Sequence, residues 1–576
     1  MKKTLLTLAC ALLTAGSATA QVCENYAGAF FSKVSNNGRF LVEDNQGDIR
    51  VYDRETQKAY EYLIGESENN LYTPGFGNAI TNDGYLVGSD NQGCLIFYQG
   101  QILRTIEEPS GVGSTMNAIN AISADGSRLA GGLTPDGISF GDEGIMGLPA
   151  IWNKAEDGTY KCVKLGYPAK DMFGLNPQRV TPYDMSGDGK VVVGQVVDNS
   201  GMRPYPIVWF EQEDGSWKWE ILAENLWWDP EKLAALPPYP VEPTEPDASK
   251  YMSEEDVEKY NAAVAEYNQA VADAMAGMIE WEDVPENPES NKANYISDEA
   301  KNKEYIDALM QYEADNADYW TKLGEFQELA DEATTGASMS DNSVFVSENG
   351  KYLATGFERA DPDADPWDIW AASLVSPLLI DLSSPEKTVT IGDDTDHLTS
   401  CVTDNGMLIC NTPSQSYEAR CAYVLRPGEK KAVSLYDYFK AEKADAAVKF
   451  LDENYRFDVT KVEYDEDFNE ITSVVKDSLV TGTVFCTSDG KKFVGFMYNG
   501  YGEDYTTMGY YSYYIELNGS NSGTGLDQVA TEPKENQVIS REYFNMQGQR
   551  IAAPVNGLYI EKVTTTDGVV TKKCLK

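Results

Sequence analysis

Short apolar runs alternate with tight polar turns along most of the chain. Seven turns share one pattern: an apolar residue, Ser or Thr, a variable residue, Asp or Asn, and Gly, with a second apolar run after it (Cys486 takes the apolar place once). Their glycines are Gly38, Gly84, Gly126, Gly189, Gly350, Gly406 and Gly490. Asp-Gly and Asn-Gly between apolar runs indicate two-residue hairpin loops, in which both turn residues take positive φ. The pattern therefore predicts a hairpin that is repeated seven times.

Most copies continue into two further apolar runs, such as GLPAIWNK and YKCVKLG after the third turn. Each unit then holds about four short strands over roughly 40–50 residues, the size of a propeller blade. One blade cannot cover both of its faces, whereas a ring of blades can. We predict an all-β fold, a seven-bladed β-propeller over residues 21–520. A β-sandwich is the competing all-β fold, but it does not account for a repeating unit.

The third and fourth units also resemble the short extracellular repeats of autotransporters and related surface propellers. In those repeats a Ser-x-Asp-Gly turn precedes a Val/Gly strand and then an Ala-x-Trp strand. Trp152 and Trp209 stand at the Trp position here, and Trp370 matches in part. The resemblance implies a blade and no catalytic residues.

Two intervals between turn glycines are too long for one blade, and they predict insertions at residues 224–336 and 438–481. The first begins with a proline-rich acidic segment, followed by a capping-box helix start at Ser253 to Asp256. Two apolar stripes then repeat at steps of three and four: Val257, Tyr260, Val264, Tyr267, Val271, Ala274 and Met278, and Leu309, Tyr312, Asn316, Tyr319, Leu323, Phe326 and Ala330. We expect an antiparallel helical hairpin with the stripes packed together; a partner-binding arm is the alternative. In the second insertion the sequence predicts a helix followed by a small pair of strands.

The seventh unit shows only three strands. Propellers often close by borrowing a strand from the other end of the chain, so we predict that residues near Val22 to Tyr26 complete this unit.

Both ends of the chain suggest export. Residues 1–20 have a basic start, an apolar run and an Ala-x-Ala site, the pattern of a signal peptide. After a linker at 521–540, residues 541–576 resemble the end of type IX secretion C-terminal sorting domains. The matching residues are Asn545, Gly548, Arg550, Ile551, Gly557, Leu558, Tyr559, Ile560, Lys572 and Lys573. The resemblance implies a small C-terminal β module and an extracellular or outer-surface location; the periplasm, and a module that merely caps the chain, are the alternatives.

The net charge of the chain limits the classes of partner that it can bind. The chain carries 92 Asp and Glu against 46 Lys and Arg, a net charge of −46, which repels phosphate backbones and argues against nucleic acid. After the signal no run of 18 apolar residues occurs, so we predict no membrane span.

Asp361, Asp363 and Asp365 alternate as in a calcium loop, but Pro366 replaces the turn glycine, which favours a solvated loop. We predict no cofactor, with calcium as the one open candidate.

Cysteine and histidine usage argues against zinc. His397 is the only histidine, and we interpret it as a surface loop residue. Among the cysteines, Cys401 and Cys410 flank one turn and make the most plausible local disulfide. Ser139 lies in a G-x-S-x-G match without the strand and helix that a nucleophile elbow requires, so we interpret it as a loop residue.

Aromatic residues are the remaining candidates. We predict ligand contacts at Trp227, Trp228, Tyr498, Tyr501 and Tyr505, because exposed aromatic rings suit sugars or peptides. The tyrosines from 511 to 514 fit a strand with one buried face. The predicted function is a secreted or surface binding scaffold for a glycan or protein, with a partner surface on the helical insertion; the sequence favours binding over catalysis without deciding between them. An extracellular polysaccharide-cleaving enzyme with an Asp/Glu pair is the alternative.

Overall fold

The computed structural model describes residues 21–517, with gaps at 28, 46–47, 63–78, 91, 110, 112–117, 137–146, 201–202, 362–372, 413–420, 465–469 and 500–508. It also describes residues 538–575, with gaps at 545–549, 552–557 and 566–567. Residues 21–516 form one compact unit, and the residues from Leu517 onward belong to another. The predicted signal peptide and most of the predicted linker lie outside the described residues.

The first unit is mostly β-structure. Its strands are β1 (Val22–Ala27), β2 (Phe31–Val34), β3 (Phe40–Asn45), β4 (Asp48–Asp53), β5 (Lys58–Tyr62), β6 (Leu86–Asp90), β7 (Gly93–Tyr98), β8 (Gln101–Leu103), β9 (Ala118–Ile122), β10 (Arg128–Leu133), β11 (Leu148–Lys154), β12 (Tyr160–Lys164), β13 (Arg179–Met185), β14 (Val191–Val197), β15 (Pro204–Glu211), β16 (Trp217–Ile221), β17 (Ala337–Val346), β18 (Tyr352–Arg359), β19 (Leu374–Asp381), β20 (Val389–Ile391), β21 (Leu398–Val402), β22 (Leu408–Asn411), β23 (Ala422–Leu425), β24 (Val433–Ser434), β25 (Arg456–Tyr464), β26 (Glu470–Leu479), β27 (Thr483–Cys486), β28 (Lys492–Asn499) and β29 (Gly509–Glu516).

Each repeat turn lies in a small antiparallel sheet of its own. Among the described strands these sheets are β2–β5, β6–β8, β9–β12, β13–β16, β17–β20, β21–β24, and β27–β29 with β1, which we call sheets 1 to 7. Sheet 2 has three strands, and an Ile80–Leu86 bridge stands where its first strand would be. From sheet 2 to sheet 7 the first strands of successive sheets contact one another, and β2 of sheet 1 contacts β27 of sheet 7. Sheets 1 and 2 share an apolar cluster. The arrangement is propeller-like.

The repeat turn differs in detail from the predicted two-residue loop. In the third copy Gly126 N–H donates to Ser123 C=O at 2.9 Å, so the central residues of the turn are Ala124 and Asp125. Gly126 alone takes a left-handed φ, of 68°. Ser123 Oγ accepts from Arg128 N–H at 2.9 Å, and Asp125 Oδ1 accepts from Ser127 N–H at the same distance. The turn is thus an ordinary β-turn followed by a left-handed glycine, and the expectation of two positive φ values is wrong because the side chains of Ser123 and Asp125 bond the backbone after the turn.

Sheet 7 is completed by the N-terminal strand, as predicted. β1 runs antiparallel to β29 from the Val22–Glu516 pair to the Ala27–Tyr511 pair. Ser512 Oγ also accepts from Phe31 N–H at 2.8 Å and donates to Ala29 C=O at 3.0 Å, which links sheet 7 to sheet 1. Tyr513 and Tyr514 of β29 are both fully buried. Because consecutive residues of a strand point to opposite faces, both faces of β29 are covered, and the expectation of one buried face is wrong.

The large insertion holds four helices among the described residues: α1 (Glu224–Trp227), α2 (Pro230–Ala234), α3 (Glu254–Met275) and α4 (Glu299–Ala333). The predicted capping box at the start of α3 is confirmed, because Ser253 and Asp256 each bond the other's backbone N–H. The predicted stripe of α4 is also its buried face, which includes Tyr319, Leu323 and Phe326.

The two long helices, α3 and α4, do not form the expected antiparallel hairpin. Val257 and Tyr260, near the start of α3, share an apolar cluster with Tyr305 and Leu309, near the start of α4. The two helices therefore meet at the same ends rather than at opposite ends. A 3₁₀ segment at Pro288–Tyr295 packs against α3 and returns the chain to that helix's beginning, and this return sets the start of α4 beside it.

The second insertion holds α5 (Leu435–Ala441), α6 (Asp445–Asn454) and the antiparallel pair β25–β26, so the predicted helix is two short ones. It packs on sheet 7. Tyr455 Oη donates to Asn25 Oδ1 of β1 at 3.1 Å, and the Tyr455 ring lies edge-on to Tyr513 at 4.8 Å between centroids.

The C-terminal unit contains one four-stranded antiparallel sheet. Its order is β31 (Arg550–Ile551), β30 (Val538–Phe544), β32 (Leu558–Thr565) and β33 (Gly568–Leu575). β30 begins three residues before the predicted start of the tail module. Across the part of the chain that is described, no helix has the length and apolar character needed to cross a membrane.

Candidate functional site

The variable residues of six repeat turns form hydrogen bonds with their counterparts in a neighbouring unit. Gly187 N–H donates to Glu348 C=O at 2.8 Å, and Asp404 N–H donates to Ser488 C=O at the same distance. Ser488 N–H then donates to Asn36 Oδ1 at 2.9 Å, which connects the seventh turn to the first. These residues do not repeat in type, so each unit can place different chemistry at one common location.

Side chains from five units line a small cavity at this location, which we call the central cavity. It encloses about 80 Å³. The lining includes Lys33, Asp184, Glu348, Ser400, Cys401 and Cys486. A volume of this size accommodates water molecules, whereas ligand pockets are typically about 300–1,000 Å³.

Asp184 and Glu348 supply the carboxylates of the central cavity. Burial, followed by the negative charges of Asp184, Asp404 and Asp188, raises the pKa of Glu348 to about 7. Asp184 is 2% exposed, and its carboxylate accepts from Val346 N–H of β17 at 2.9 Å and from its own Met185 N–H at the same distance. Asp184 thus connects sheets 4 and 5 by a hydrogen bond. Glu348 binds its proton more tightly than an ordinary glutamate does, because its pKa is raised.

Lys33 is the buried cation of the same cavity. Its burial lowers the pKa of the ammonium group to about 8, with Asp44 partly opposing that effect. It lies on β2, the strand that contacts sheet 7. A cation and two carboxyls at one location give the cavity a polar interior, which is consistent with a hydrated core between the sheets.

Trp227 and Trp228 are buried, not exposed: they retain 2% and 7% exposure. Trp227 Nε1 donates to Leu222 C=O at 2.9 Å, and the Trp228 ring lies edge-on to Tyr205 at 5.3 Å. Trp228 also forms an antiparallel bridge with Thr334, where the insertion ends. The prediction of ligand contacts at these two residues is therefore wrong, because they fix both ends of the insertion to sheets 4 and 5.

A groove on the large insertion has a volume in the usual range for ligand pockets, which the central cavity does not reach. It encloses about 680 Å³ between the proline-rich segment 237–243 and the C-terminal half of α4. Its apolar lining includes Tyr239, Phe326 and Leu329, and the rings of Tyr239 and Phe326 lie edge-to-face at 5.1 Å. Sequence periodicity identified the buried face of α4 but not its partner, because the proline-rich segment lies some 80 residues earlier and has no periodicity of its own.

Acidic residues line the edge of this groove. Asp315, Asp318 and Glu325 contribute to its lining and are exposed. Lys322 is the one cation of the lining, and its Nζ pairs with Asp318 at 2.6 Å. Asp318 contributes most to raising the pKa of Lys322, and the carboxylates of Glu325 and Asp315 add to that effect. Asp315 Oδ1 also accepts from Gln311 Nε2 at 2.8 Å. The three carboxylates and one lysine leave the lining with a net negative charge.

The other predicted site residues are described only in part. Tyr498 lies on β28, and nothing is described of its side chain; Tyr501 and Tyr505 lie outside the described residues. Of the weak calcium candidates only Asp361 is described. Within the described ranges no group of three or more His, Cys, Asp or Glu could hold a metal ion. Trp370 and Ser139 also lie outside these ranges.

Two expectations about single residues are wrong. His397 is 5% exposed, not a surface residue, because its ring lies edge-on to Tyr423 at 4.1 Å and its backbone N–H donates to Val375 C=O. Cys401 does not pair with Cys410. Cys410 aligns with Thr399 in the sheet, whereas Cys401 Sγ lies 3.4 Å from Cys486 Sγ in the next sheet.

No family model matches the chain, and no curated protein matches it. Solved structures do show similarity. Hydrazine synthase of Kuenenia stuttgartiensis is 11% identical with a TM-score of 0.35, covering 83% of this chain and 94% of that one. A putative TolB from Agrobacterium tumefaciens is 10% identical with a TM-score of 0.27, covering 65% and 88%. Prolyl oligopeptidase B from Galerina marginata is 8% identical with a TM-score of 0.37, covering 95% and 55%. Similarity this weak carries no conclusion about activity or ligand.

Proposed function

We propose that residues 21–516 form a seven-bladed β-propeller that acts outside the inner membrane as a binding scaffold, with a protein as its ligand. The blade count rests on the seven repeat turns, each in its own sheet, and on the contact between the first and last sheets. Export rests on the signal-like residues 1–20 and on the sorting-domain resemblance of residues 541–576.

The observation that carries the binding function is the contrast in size between the two cavities. The central cavity, at about 80 Å³, is too small for a sugar ring, while the groove on the insertion, at about 680 Å³, lies within the usual range for ligand sites. Trp227 and Trp228 fix the insertion to the sheets, so a ligand in the groove would be held in a defined orientation.

The lining of the groove indicates the chemistry of its ligand. Prolines and aromatic rings suit an extended peptide with an apolar side chain, since such surfaces bind with little loss of side-chain entropy. The exposed carboxylates of Asp315 and Glu325 favour Lys or Arg beside that side chain. We therefore propose that the groove binds an extended apolar and basic peptide segment of a partner protein.

Two fluorescein-labelled peptide pools test this proposal by fluorescence anisotropy with the chain from residue 21 onward. Both pools carry Leu, Phe or Tyr at the centre; one is flanked by lysines and the other by glutamates. We expect the lysine pool to bind about fivefold more tightly or better, as expected for roughly 1 kcal/mol from two exposed charges.

A matched pair of variants locates the binding. Asp315→Asn with Glu325→Gln removes two groove charges and should abolish the preference for lysine. Asp307→Asn with Glu304→Gln removes two exposed charges elsewhere on the same helix and should leave the preference unchanged. Equal effects of the two variants, or binding to a glycan array instead of peptides, would contradict the proposal.

The alternative is a polysaccharide-cleaving enzyme. Glu348, with its pKa near 7, and Asp184 are the acid pair that favours it. It requires the central cavity to open well beyond its present volume. Release of reducing ends from a polysaccharide panel, lost in Glu348→Gln and retained in Asp315→Asn, would replace the binding function with this one.

A further inference from the structure

Two cysteines from different sheets face each other at the central cavity. Cys401 lies on β21 of sheet 6 and Cys486 ends β27 of sheet 7; their Sγ atoms are 3.4 Å apart. Cys486 N–H also points to Cys401 Sγ at 3.2 Å. Both residues line the central cavity, which is too small to hold an oxidant, but they are also partly exposed, so an oxidant can reach them from solvent.

The two strands are held in a fixed relation beside this pair. Ser400 Oγ donates to Val484 C=O at 2.7 Å, and Asn411 Oδ1 accepts from Val484 N–H at 2.9 Å. A disulfide bond is about 2.05 Å long, so the sulfurs must approach by roughly 1.4 Å, a distance that side-chain rotation can supply. We expect bond formation to leave the Ser400 and Asn411 contacts with Val484 in place.

We propose that Cys401 and Cys486 form a redox site that an exogenous disulfide oxidant converts into a bond between sheets 6 and 7. The Cys401 thiolate attacks the oxidant's disulfide and releases one oxidant thiolate, leaving a mixed disulfide on Cys401. The Cys486 thiolate then attacks the Cys401 sulfur and releases the second. Two protein thiols lose two protons and two electrons, and one oxidant disulfide becomes two thiols.

The order of attack follows from the environments of the two sulfurs. The hydrogen bond with Cys401, together with burial, holds the pKa of Cys486 well above its usual value. Cys486 is therefore the poorer first nucleophile, and it reacts once Cys401 carries the mixed disulfide, because the second step is intramolecular.

The bond would lie beside the sheet in which the N-terminal strand pairs with β29, but it would not cross that pairing. Sheet 7 is completed by β1, whose pairing with β29 is held by hydrogen bonds and side-chain packing alone. A Cys401–Cys486 bond adds a covalent connection from sheet 6 to that sheet. Its formation in the cell rests on the proposed export to an oxidising compartment, whereas its formation in vitro depends only on the geometry.

Peptide mapping of the chain from residue 21 onward, treated with oxidised glutathione at about pH 8, tests the site. Trypsin leaves Cys401 and Cys410 in one peptide, and cleavage before Asp404 separates them. We expect a linked peptide that joins Cys401 to Cys486 and the loss of two alkylatable thiols per chain. Reduction should reverse both changes and lower the midpoint of thermal unfolding by several degrees.

Two variants control the result. Cys401→Ser should abolish the linked peptide and the dependence of thermal unfolding on reductant. Cys421→Ser changes a thiol that donates to Leu479 C=O, and it should retain both. Free Cys401 and Cys486 after oxidation, or linkage of Cys401 to Cys410, would overturn the proposal. The peptide-pool binding above has a separate readout, so either proposal can fail alone.

Discussion

Glu348 offers a quantitative test of the central cavity. We consider Glu348→Gln, which removes a carboxyl whose pKa is raised from 4.5 to about 7 by burial and by Asp184, Asp404 and Asp188. Well below pH 4.5 the carboxyl is protonated in both the folded and the unfolded states, and it then contributes no electrostatic penalty to the folded state. Between pH 4.5 and 7 the unfolded state ionises first, and above pH 7 the folded state carries the full cost of the buried charge.

The size of the effect follows from the two pKa values. A carboxyl raised from 4.5 to about 7 costs the folded state about 3 kcal/mol once both states are ionised. Glu348→Gln should therefore raise the free energy of unfolding by up to about 3 kcal/mol at pH 8.5, and by less than about 1 kcal/mol at pH 5.

Urea unfolding followed by tryptophan fluorescence, at pH 5 and pH 8.5, measures this difference. Glu429→Gln removes an exposed carboxyl and serves as the matched control, with equal stability differences from wild type at both pH values. A stability difference for Glu348→Gln that is the same at both pH values would refute the electrostatic account of this cavity.

Three further substitutions test the contacts around the sheets. Tyr455→Phe removes the hydroxyl that donates to Asn25 of β1, so it should lower the free energy of unfolding in urea by about 1 kcal/mol and speed hydrogen exchange in β1. Unchanged exchange in β1 would mean that this hydrogen bond does not hold the strand. Trp227→Ala should lower the free energy of unfolding by about 3–5 kcal/mol and speed proteolysis of the insertion. Trp320→Ala, at an indole that is 59% exposed, should change it by less than about 0.5 kcal/mol, and equal effects of the two substitutions would contradict the anchoring role of Trp227. Gly126→Ala should lower stability by about 1–2 kcal/mol because φ is 68°, and a neutral result would mean that the turn is not left-handed there.

Local sequence was sufficient for the features that repeat. The Ser-x-Asp-Gly turns marked the hairpins because each uses its own Ser and Asp side chains to bond its own backbone. The start of α3 was equally local, since a capping box lies within four residues. The N-terminal strand of sheet 7 was predictable because the seventh unit lacked a fourth strand.

Features that depend on distant segments were not predictable. Nothing within NLWWDP indicates that Tyr205 and Thr334 pack on these tryptophans, so the sequence predicts exposed rings at Trp227 and Trp228. The sequence likewise shows the turn between Cys401 and Cys410, whereas the approach of Cys486 to Cys401 depends on the packing of sheet 7 against sheet 6. The variable turn residue carries no signal in the sequence for a related reason: its hydrogen bonds form only between neighbouring units.

The N-terminal strand closes the proposed propeller by pairing with β29, and a cysteine cross-link between Val22 and Glu516 tests this closure. These residues are partners in the β1–β29 ladder, and paired residues of antiparallel strands lie about 4.5–5.5 Å apart between Cα atoms, within the range that a disulfide spans. We predict that Val22→Cys with Glu516→Cys forms a mapped 22–516 disulfide on mild oxidation, while Val22→Cys with Asp214→Cys, in an exposed turn of sheet 4, does not. A chain in which the new thiol at position 22 stays free, or reacts equally with both partners, would contradict a propeller closed by its N-terminal strand.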